Sequence, residues 1–311
     1  MKKALVLGAS GGMGYALIQE LLERGIDVIA FARSEHKLQA LYGEQEGVKI
    51  YAGDIFNQND LLSAVEHVDT IFQSANLPYE QWEERLLPFF ENIIYVAEAT
   101  EAKLVLVENI YAYGKSPGSK VTEETPKNPH TKKGKVRLQV EKRIKASNVL
   151  ALFAHLPDFY GPNAENTLLH FTLENVIQHK SALYVGHKKI AREFIYTPDG
   201  AKALVNLALH EQAFGQNWNI PGYNVITGDE ILHIVYNING YKKPVLTVNK
   251  GMIRLVGLFD PTMREVVEMF YLNEDPVVLD GTKYEREIGP LPRTSYPEGI
   301  KQTLEHMLAH K

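Results

Sequence analysis

Six short, largely apolar segments punctuate the first half of the chain: Ala4–Leu7, Val28–Ala32, Val48–Tyr51, Thr70–Phe72, Leu104–Val107 and Val149–Ala154. Helical patterns lie between them. Met13–Glu23 carries Leu17, Leu21 and Leu22 on one face, and Trp82–Thr100 is a longer helix. A strand that is apolar on both sides of its pleat is covered on both faces, and such strands alternating with helices build a parallel sheet. The right-handed crossover rule leaves few ways to connect it. The expected fold class is therefore α/β, a doubly wound parallel sheet.

Beyond about residue 160 helical patterns take over, at Thr167–His179, Pro198–His210, Gly228–Asn239 and Lys250–Phe270. In the last, Met252, Leu255, Val256 and Phe259 recur at helical spacing, as do Met263, Val266, Val267 and Phe270; both stripes are expected in the core. Asp260-Pro261 should break or kink that segment. A length of 311 residues fits about two domains, and the second region reads as a smaller lobe packed on the first.

Composition removes several chemistries. With no cysteine there is no disulfide, thiolate nucleophile, zinc–thiolate site or iron–sulfur cluster. A net charge of −5 argues against a general nucleic-acid binder. Lys2 and Lys3 precede an apolar run too short for a signal peptide, and no run is long enough for a transmembrane helix. A cytoplasmic protein without a membrane or nucleic-acid partner is the expectation. Only His306 and His310 are paired at i, i+4, so no metal is expected.

The sharpest local signal is Gly8-Ala9-Ser10-Gly11-Gly12-Met13-Gly14, which ends the first strand and opens the first helix. A dinucleotide turn has this setting: Gly8 for the tight turn, Gly11 for close approach of backbone N–H groups to a pyrophosphate, Gly14 for helix packing, with Ser10, Gly12 and Met13 completing the contacts. A bare βα turn is the alternative. The second strand ends Ala32-Arg33-Ser34, where an NAD site places a carboxylate ~20 residues on for the ribose 2′-hydroxyl. Arg33 can instead pair with a 2′-phosphate, aided by Ser10 or Ser34, so NADP(H) is expected over NAD(H). After the third strand, Asp54 can accept from the adenine amino group with Ile55 against the ring; alternatively Asp54 caps the helix at Gln58–Val65.

With these motifs the chain resembles the extended short-chain dehydrogenase/reductases, the NAD-dependent epimerase/dehydratase family. Phe72-Gln73-Ser74-Ala75-Asn76 is similar to that family's strand-four segment, Tyr113-Gly114 to the Tyr-Gly after strand five, and Tyr160-Gly161-Pro162 to the Tyr-Gly-Pro after strand six. Arg192–Asp199 is similar to the segment leading back into the cofactor lobe, and Gly289–Pro292 to the C-terminal end. The resemblance implies a dinucleotide-binding lobe of residues 1–163 plus about 191–222. A substrate lobe would comprise about 164–190 and 223–311. It brings Ser74 and Ala75 to the cofactor, and Asn76, Asp158, Asn163 and Arg192 to the substrate. Members often dimerise, so a homodimer is an expectation.

The departures from the family fall on its catalytic residues. Its Ser/Thr, Tyr and Lys correspond here to Asn109, Lys133 and Arg137, a pattern similar to the atypical branch that keeps the cofactor turn and loses the usual residues. Arg137 cannot act as a base but could hold the nicotinamide ribose. Lys133, beside that cation, could serve as a general acid, or simply be solvated. Tyr111 lies two positions beyond Asn109 and shares its side if the segment is extended, as a proton donor or a packing aromatic. Asn109 can donate to a carbonyl or oxyanion. Lys132, Lys133, Lys135, Arg137, Lys142, Arg143 and Lys145, with Glu141 the only acid among them, suggest an electropositive pocket for a phosphorylated cofactor and an anionic small molecule. The leading expectation is an NADP(H)-dependent oxidoreductase acting by hydride transfer on a small carbonyl or hydroxyl substrate, for which the family suggests a sugar derivative. The alternatives are an inactive NADP(H)-binding sensor or scaffold, and a sugar-nucleotide epimerase or dehydratase.

Overall fold

The computed structural model describes residues 1–310. The first part runs β1 (Lys3–Leu7), α1 (Gly12–Glu23), β2 (Asp27–Ala32), α2 (Glu35–Tyr42), β3 (Val48–Ala52), α3 (Gln58–Ala64), β4 (Thr70–Gln73), α4 (Trp82–Thr100), β5 (Lys103–Glu108), α5 (Lys132–Lys145) and β6 (Ala151–His155). The remainder runs β7 (Asp158–Tyr160), α6 (Leu168–Ile177), β8 (Ala182–Val185), β9 (Arg192–Tyr196), α7 (Thr197–Ala208), β10 (Asn217–Asn219), β11 (Val225–Ile226), α8 (Gly228–Asn239), β12 (Val245–Val248), α9 (Lys250–Val256), α10 (Pro261–Met269), α11 (Tyr271–Glu274), α12 (Thr282–Glu287) and α13 (Tyr296–Ala309).

Seven parallel strands form the main sheet in the order β10-β6-β5-β4-β1-β2-β3. The strand order reverses between β1 and β4, which opens a crevice at their carboxyl ends where such sheets bind ligands. The pleat explains the apolar strands. Ala4 and Val6 of β1 face one core with Leu17, Ile18 and Leu21 of α1 and Leu204 and Leu207 of α7. Leu5 and Leu7 face the other with Trp82, Leu86, Phe89 and Phe90 of α4 and Val140 of α5. Neither face of β1 meets water, so no polar alternation was possible.

The part of the fold outside the main sheet holds the sheet β11-β9-β7, whose β7 and β9 lie within the ranges expected for the cofactor lobe, and the parallel pair β12-β8. Its core gathers Leu169, Leu173 and Val176 of α6, Ile231 and Val235 of α8, and Ile300 and Leu304 of α13.

The segment expected to break or kink at Asp260-Pro261 breaks into two helices, α9 and α10. Asp260 accepts from the N–H groups of Thr262 (2.8 Å) and Met263 (3.2 Å), and Pro261 takes the first position of α10. Only the second stripe packs inward: Phe270 is buried and Met263, Val266 and Val267 are half-buried. The first stripe corrects the expectation of burial, since Met252, Leu255, Val256 and Phe259 are all exposed. Helical spacing says that four side chains share a face, not which way the face points.

Candidate functional site

The glycine turn sits at the sheet's reversal point. Gly8 has φ +84°, and a Cβ there would fall 2.6 Å from the Ala75 backbone. At Gly14 a Cβ would meet the Gly8 carbonyl oxygen at 2.2 Å, and at Gly12 the Ala164 Cα at 2.6 Å. These three let chain segments touch. Gly11 is different: it is exposed, its nearest neighbour would be 3.5 Å away, and it begins α1 with no side-chain cap. The first N–H groups of α1 therefore lack a capping partner, the arrangement that receives an anion. The turn is held from behind by Tyr42, whose hydroxyl donates to the Ala9 carbonyl at 2.6 Å, and by Ser74, which donates to Leu7 at 2.7 Å. Asn163, expected at the substrate, donates to the Ser10 carbonyl at 3.2 Å and so buttresses the turn.

Around this turn, Met13 and Ile55 are buried, and Arg33 is exposed with no ion-pair or hydrogen-bond partner among the described residues. Ser34 accepts from the Lys37 N–H at 3.3 Å and caps α2. Asp54 accepts from Phe56 N–H at 3.0 Å and stays exposed, while Asn57, not Asp54, caps α3.

The face beside the crevice is built from β5, α5 and α10. Asn109 does not continue β5: its Oδ1 accepts from the Tyr111 N–H at 3.0 Å, and Tyr111–Tyr113 form a 3-10 turn. The hydroxyl of Tyr111 lies 2.5 Å from that of Tyr79. Burial drives the Tyr111 phenol well above its ordinary range and the Tyr79 phenol up to about 12, with the bond to Tyr111 opposing the shift at Tyr79. Both are thus neutral. One hydroxyl donates to the other, which leaves one O–H proton of the pair available to a third group.

Lys133 is completely buried. Its ammonium is bonded to Glu265 and, at 3.2 Å, to Glu268, both from α10, and stands 5.6 Å above the Tyr79 ring. Arg137, one turn along α5, is paired with the buried Glu108 at 3.1 Å, with the Trp82 and Phe90 rings 5.3 and 5.6 Å away. Burial raises the Glu108 carboxyl, and the Arg137 charge opposes this. The electropositive pocket expected from the Lys/Arg-rich stretch is thereby corrected. Besides these two, Lys132 pairs with Glu83 (2.9 Å), Arg143 with Glu91 (2.7 Å) and Lys145 with Glu141 (2.7 Å). Lys135 and Lys142 are exposed without a carboxylate partner among the described residues, whereas the buried Lys133 and Arg137 require counter-ions, which come from α10 and β5.

Asp158 and Arg192 are brought together: the Arg192 guanidinium binds Asp158 and Asn273. Asn76 is exposed, with its Oδ1 accepting from the Leu77 N–H at 2.9 Å. Sequence reasoning missed Tyr79, Glu108, Glu265, Glu268 and Asn273. The signal for one pair was present, since Glu265 and Glu268 lie at i, i+3 on one helical face.

Behind α5 lies a second polar cluster. The Lys127 ammonium is bonded to Glu141 and lies 2.9 Å from Nε2 of the buried His155, whose ring is 5.1 Å from that of Tyr113 and tilted 58° to it. The Tyr113 hydroxyl donates to Asn219 at 3.0 Å. Burial first, then the Lys127 charge, hold the His155 imidazole down at about 4. Burial opposes ionisation of Glu141, yet hydrogen bonds and charge from His155 and Lys127 keep its carboxyl far below the usual range.

A doubly wound sheet with a glycine turn at its reversal point and a polar face beside it defines a nucleotide-binding α/β protein. The sequence profile of the NAD dependent epimerase/dehydratase family matches residues 4–221, and the chain belongs to that family. It is 21% identical to the uncharacterized protein y4nL of Sinorhizobium fredii over 97% of this chain and 94% of that one. It is 31% identical to the 2-alkyl-3-oxoalkanoate reductase of Shewanella oneidensis over 132 residues, 40% of this chain and 33% of the reductase. The fold matches UDP-glucuronic acid 4-epimerase from Bacillus cereus in complex with NAD with a TM-score of 0.81, at 17% identity over 99% of each chain.

The His155 cluster sets a pH dependence. With the folded imidazole near 4 and an ordinary value near 6.5, the unfolded chain binds more protons between those limits. Stability from this group is complete above about 6.5 and is lost as the pH falls toward 4. Urea midpoints measured through this window should fall more steeply for the native chain than for His155→Asn, whose amide does not titrate. Parallel curves would show that His155 is not held neutral.

Proposed function

We propose that this chain is an NADP(H)-dependent oxidoreductase that moves a hydride between the cofactor and a small carbonyl or hydroxyl substrate, with an altered proton donor. The observation that carries the reading is the Tyr79–Tyr111 hydroxyl pair, 2.5 Å apart, beside the buried Lys133. It stands at the helix position from which the family presents its tyrosine.

The open cradle at Gly11 and the uncapped start of α1 fit a dinucleotide diphosphate. Backbone N–H groups of Gly12 and Met13 would hold it, with Gly11, whose own N–H is donated to the Gly8 carbonyl at 3.0 Å, leaving room for the approach. Arg33, with Ser10 and Ser34, would take a 2′-phosphate; Asp54 and Ile55 would take the adenine. When bound, the nicotinamide supplies or accepts the hydride. The chain's own groups handle the proton. Asn109 keeps its side-chain amide N–H free to donate to a substrate oxygen, because only Oδ1 is engaged by Tyr111. The Tyr pair provides an O–H over the whole physiological range, since both phenols are raised. Lys133 fixes the Tyr79 ring and, through Glu265 and Glu268, ties α10 to the site. Arg137 is a positioning residue held by Glu108. Residues 1–163 with 191–222 would form the cofactor lobe, the rest the substrate lobe.

Two substrate classes are suggested by the relatives: the carbonyl of 3-oxoalkanoates, from the Shewanella reductase, and the hydroxyl of sugar nucleotides, from the Bacillus epimerase.

Titration of the native chain should show tighter binding of NADPH than of NADH. Arg33→Ala should cost about ten- to hundredfold in NADPH affinity, the range of one charge-assisted contact, and leave NADH unchanged. Tighter NADH binding by the native chain would refute the preference.

NADPH oxidation with 3-oxoalkanoates and NADP+ reduction with sugar nucleotides test turnover. Tyr111→Phe should lower kcat at least about 100-fold, as loss of a general acid does, and Lys133→Ala should also impair it. Full activity in both variants would refute the site. NADPH binding with no turnover of any substrate would make the chain a cofactor-binding sensor or scaffold instead.

A further inference from the structure

Among the described residues, fifteen large apolar side chains are exposed, and six of them fall between residues 246 and 259. They are Leu246 at the outside of β12, Met252, Leu255 and Val256 on α9, and Leu258 and Phe259 in the turn before α10. Exposure rises toward the turn: Met252 is 44% exposed, Leu255 65% and Phe259 88%. The opposite side of α9 is anchored, with Ile253 buried. The hairpin thus turns its apolar stripe outward, whereas an amphipathic helix of a globular lobe buries that stripe. A concentration of this kind marks an interaction surface rather than scatter.

The charge around the stripe says what would meet it. From Lys242 to Arg264 the chain has five cations, Lys242, Lys243, Lys250, Arg254 and Arg264, and one acid, Asp260, in a protein whose net charge is −5. The Asp260 carboxylate is engaged in capping α10. Lys250 reaches Glu274 at 3.7 Å, and the other four cations have no carboxylate partner. The acids of α10, Glu265 and Glu268, are directed into the protein, where they hold Lys133. Cations and apolar side chains are left outside.

A second copy of this chain does not suit that surface. A two-fold contact would set the same cationic patch against itself. A bilayer surface with anionic headgroups suits it. An apolar tip enters the acyl boundary while flanking Lys and Arg side chains meet the headgroups.

We propose that the α9–α10 hairpin docks this protein on an anionic membrane surface, with Phe259, Leu258 and the α9 stripe inserted and Lys242, Lys243 and Arg254 on the headgroups. The attachment is peripheral, as no helix among the described residues is long and apolar enough to cross a membrane. It departs from the sequence-based expectation of no membrane partner, and it is independent of the chemistry proposed above.

Co-sedimentation of the full chain with vesicles of phosphatidylcholine and phosphatidylserine, 7:3, tests it. The native chain should bind these and not pure phosphatidylcholine, and raising NaCl from about 50 to about 500 mM should release it, since screening shortens the reach of the charges. Leu255→Ser/Phe259→Ser should weaken binding at least tenfold, and Lys242→Gln/Lys243→Gln/Arg254→Gln should remove the preference for anionic lipid. All five side chains are exposed, so thermal midpoints should stay within a degree or two of the native value. No sedimentation with anionic vesicles, or equal sedimentation of the native chain and both variants, overturns the proposal. Dimerisation in light scattering that the Ser variant abolishes, without vesicle binding, also overturns it and assigns the surface to a second copy.

Discussion

A lysine with no exposure to water organises the candidate site. The Lys133 ammonium cannot remain charged in a low-dielectric interior without partners, and Glu265 and Glu268 provide them from a helix more than a hundred residues away in the chain. Three placements depend on that contact. It draws α10 over the turn that carries Tyr79, it sets the ammonium above the Tyr79 ring, and it leaves the two tyrosine hydroxyls facing one another. An unpaired cation there would cost more than the pair contributes, so the hairpin's position and the site's polarity are one problem.

The same logic runs along α5. Arg137 meets Glu108 at the end of β5, and Glu141 is shared by Lys127, Lys145 and, through Lys127, His155. Along α5 the buried cations are each matched by a carboxylate, while the glycine turn next to it is fixed by backbone geometry. The two halves of the crevice answer to different constraints. Close approach of backbone leaves no room for a Cβ at Gly8, Gly12 or Gly14. The polar face of α5 asks only that buried charge be balanced, and different residue sets satisfy that.

This division explains what could be read in advance. The central strands of the main sheet were legible because both faces of the pleat are buried, which shows in local composition, and the turn at Gly8–Gly14 because its steric demand falls on consecutive residues; the edge strand β10, three residues with asparagine at both ends, was not read. Asp260-Pro261 announced its helix start for the same local reason. The pairing of Lys133 with α10 was not legible: a basic helix looks alike whether its lysines are solvated or matched by distant acids. Nor was the aspect of the Met252–Phe259 stripe, since periodicity defines a face and only tertiary packing decides whether protein covers it. Tyr79 escaped because it acts from the loop before α4, where its partner Tyr111 is joined to it through space alone. Asn163 was placed by resemblance near the substrate, whereas the chain after β7 folds back onto Ser10 and uses the side chain to brace the cofactor turn.

The most direct test of this account is a double-mutant cycle on the ion pair, read by urea unfolding at pH 7. It compares Lys133→Met, Glu265→Gln/Glu268→Gln and all three substitutions together. The account predicts that the combined variant is less destabilised than the sum of its parts, by about 1–3 kcal/mol, because it alone leaves no buried charge unmatched. Additivity within about 0.5 kcal/mol would contradict it.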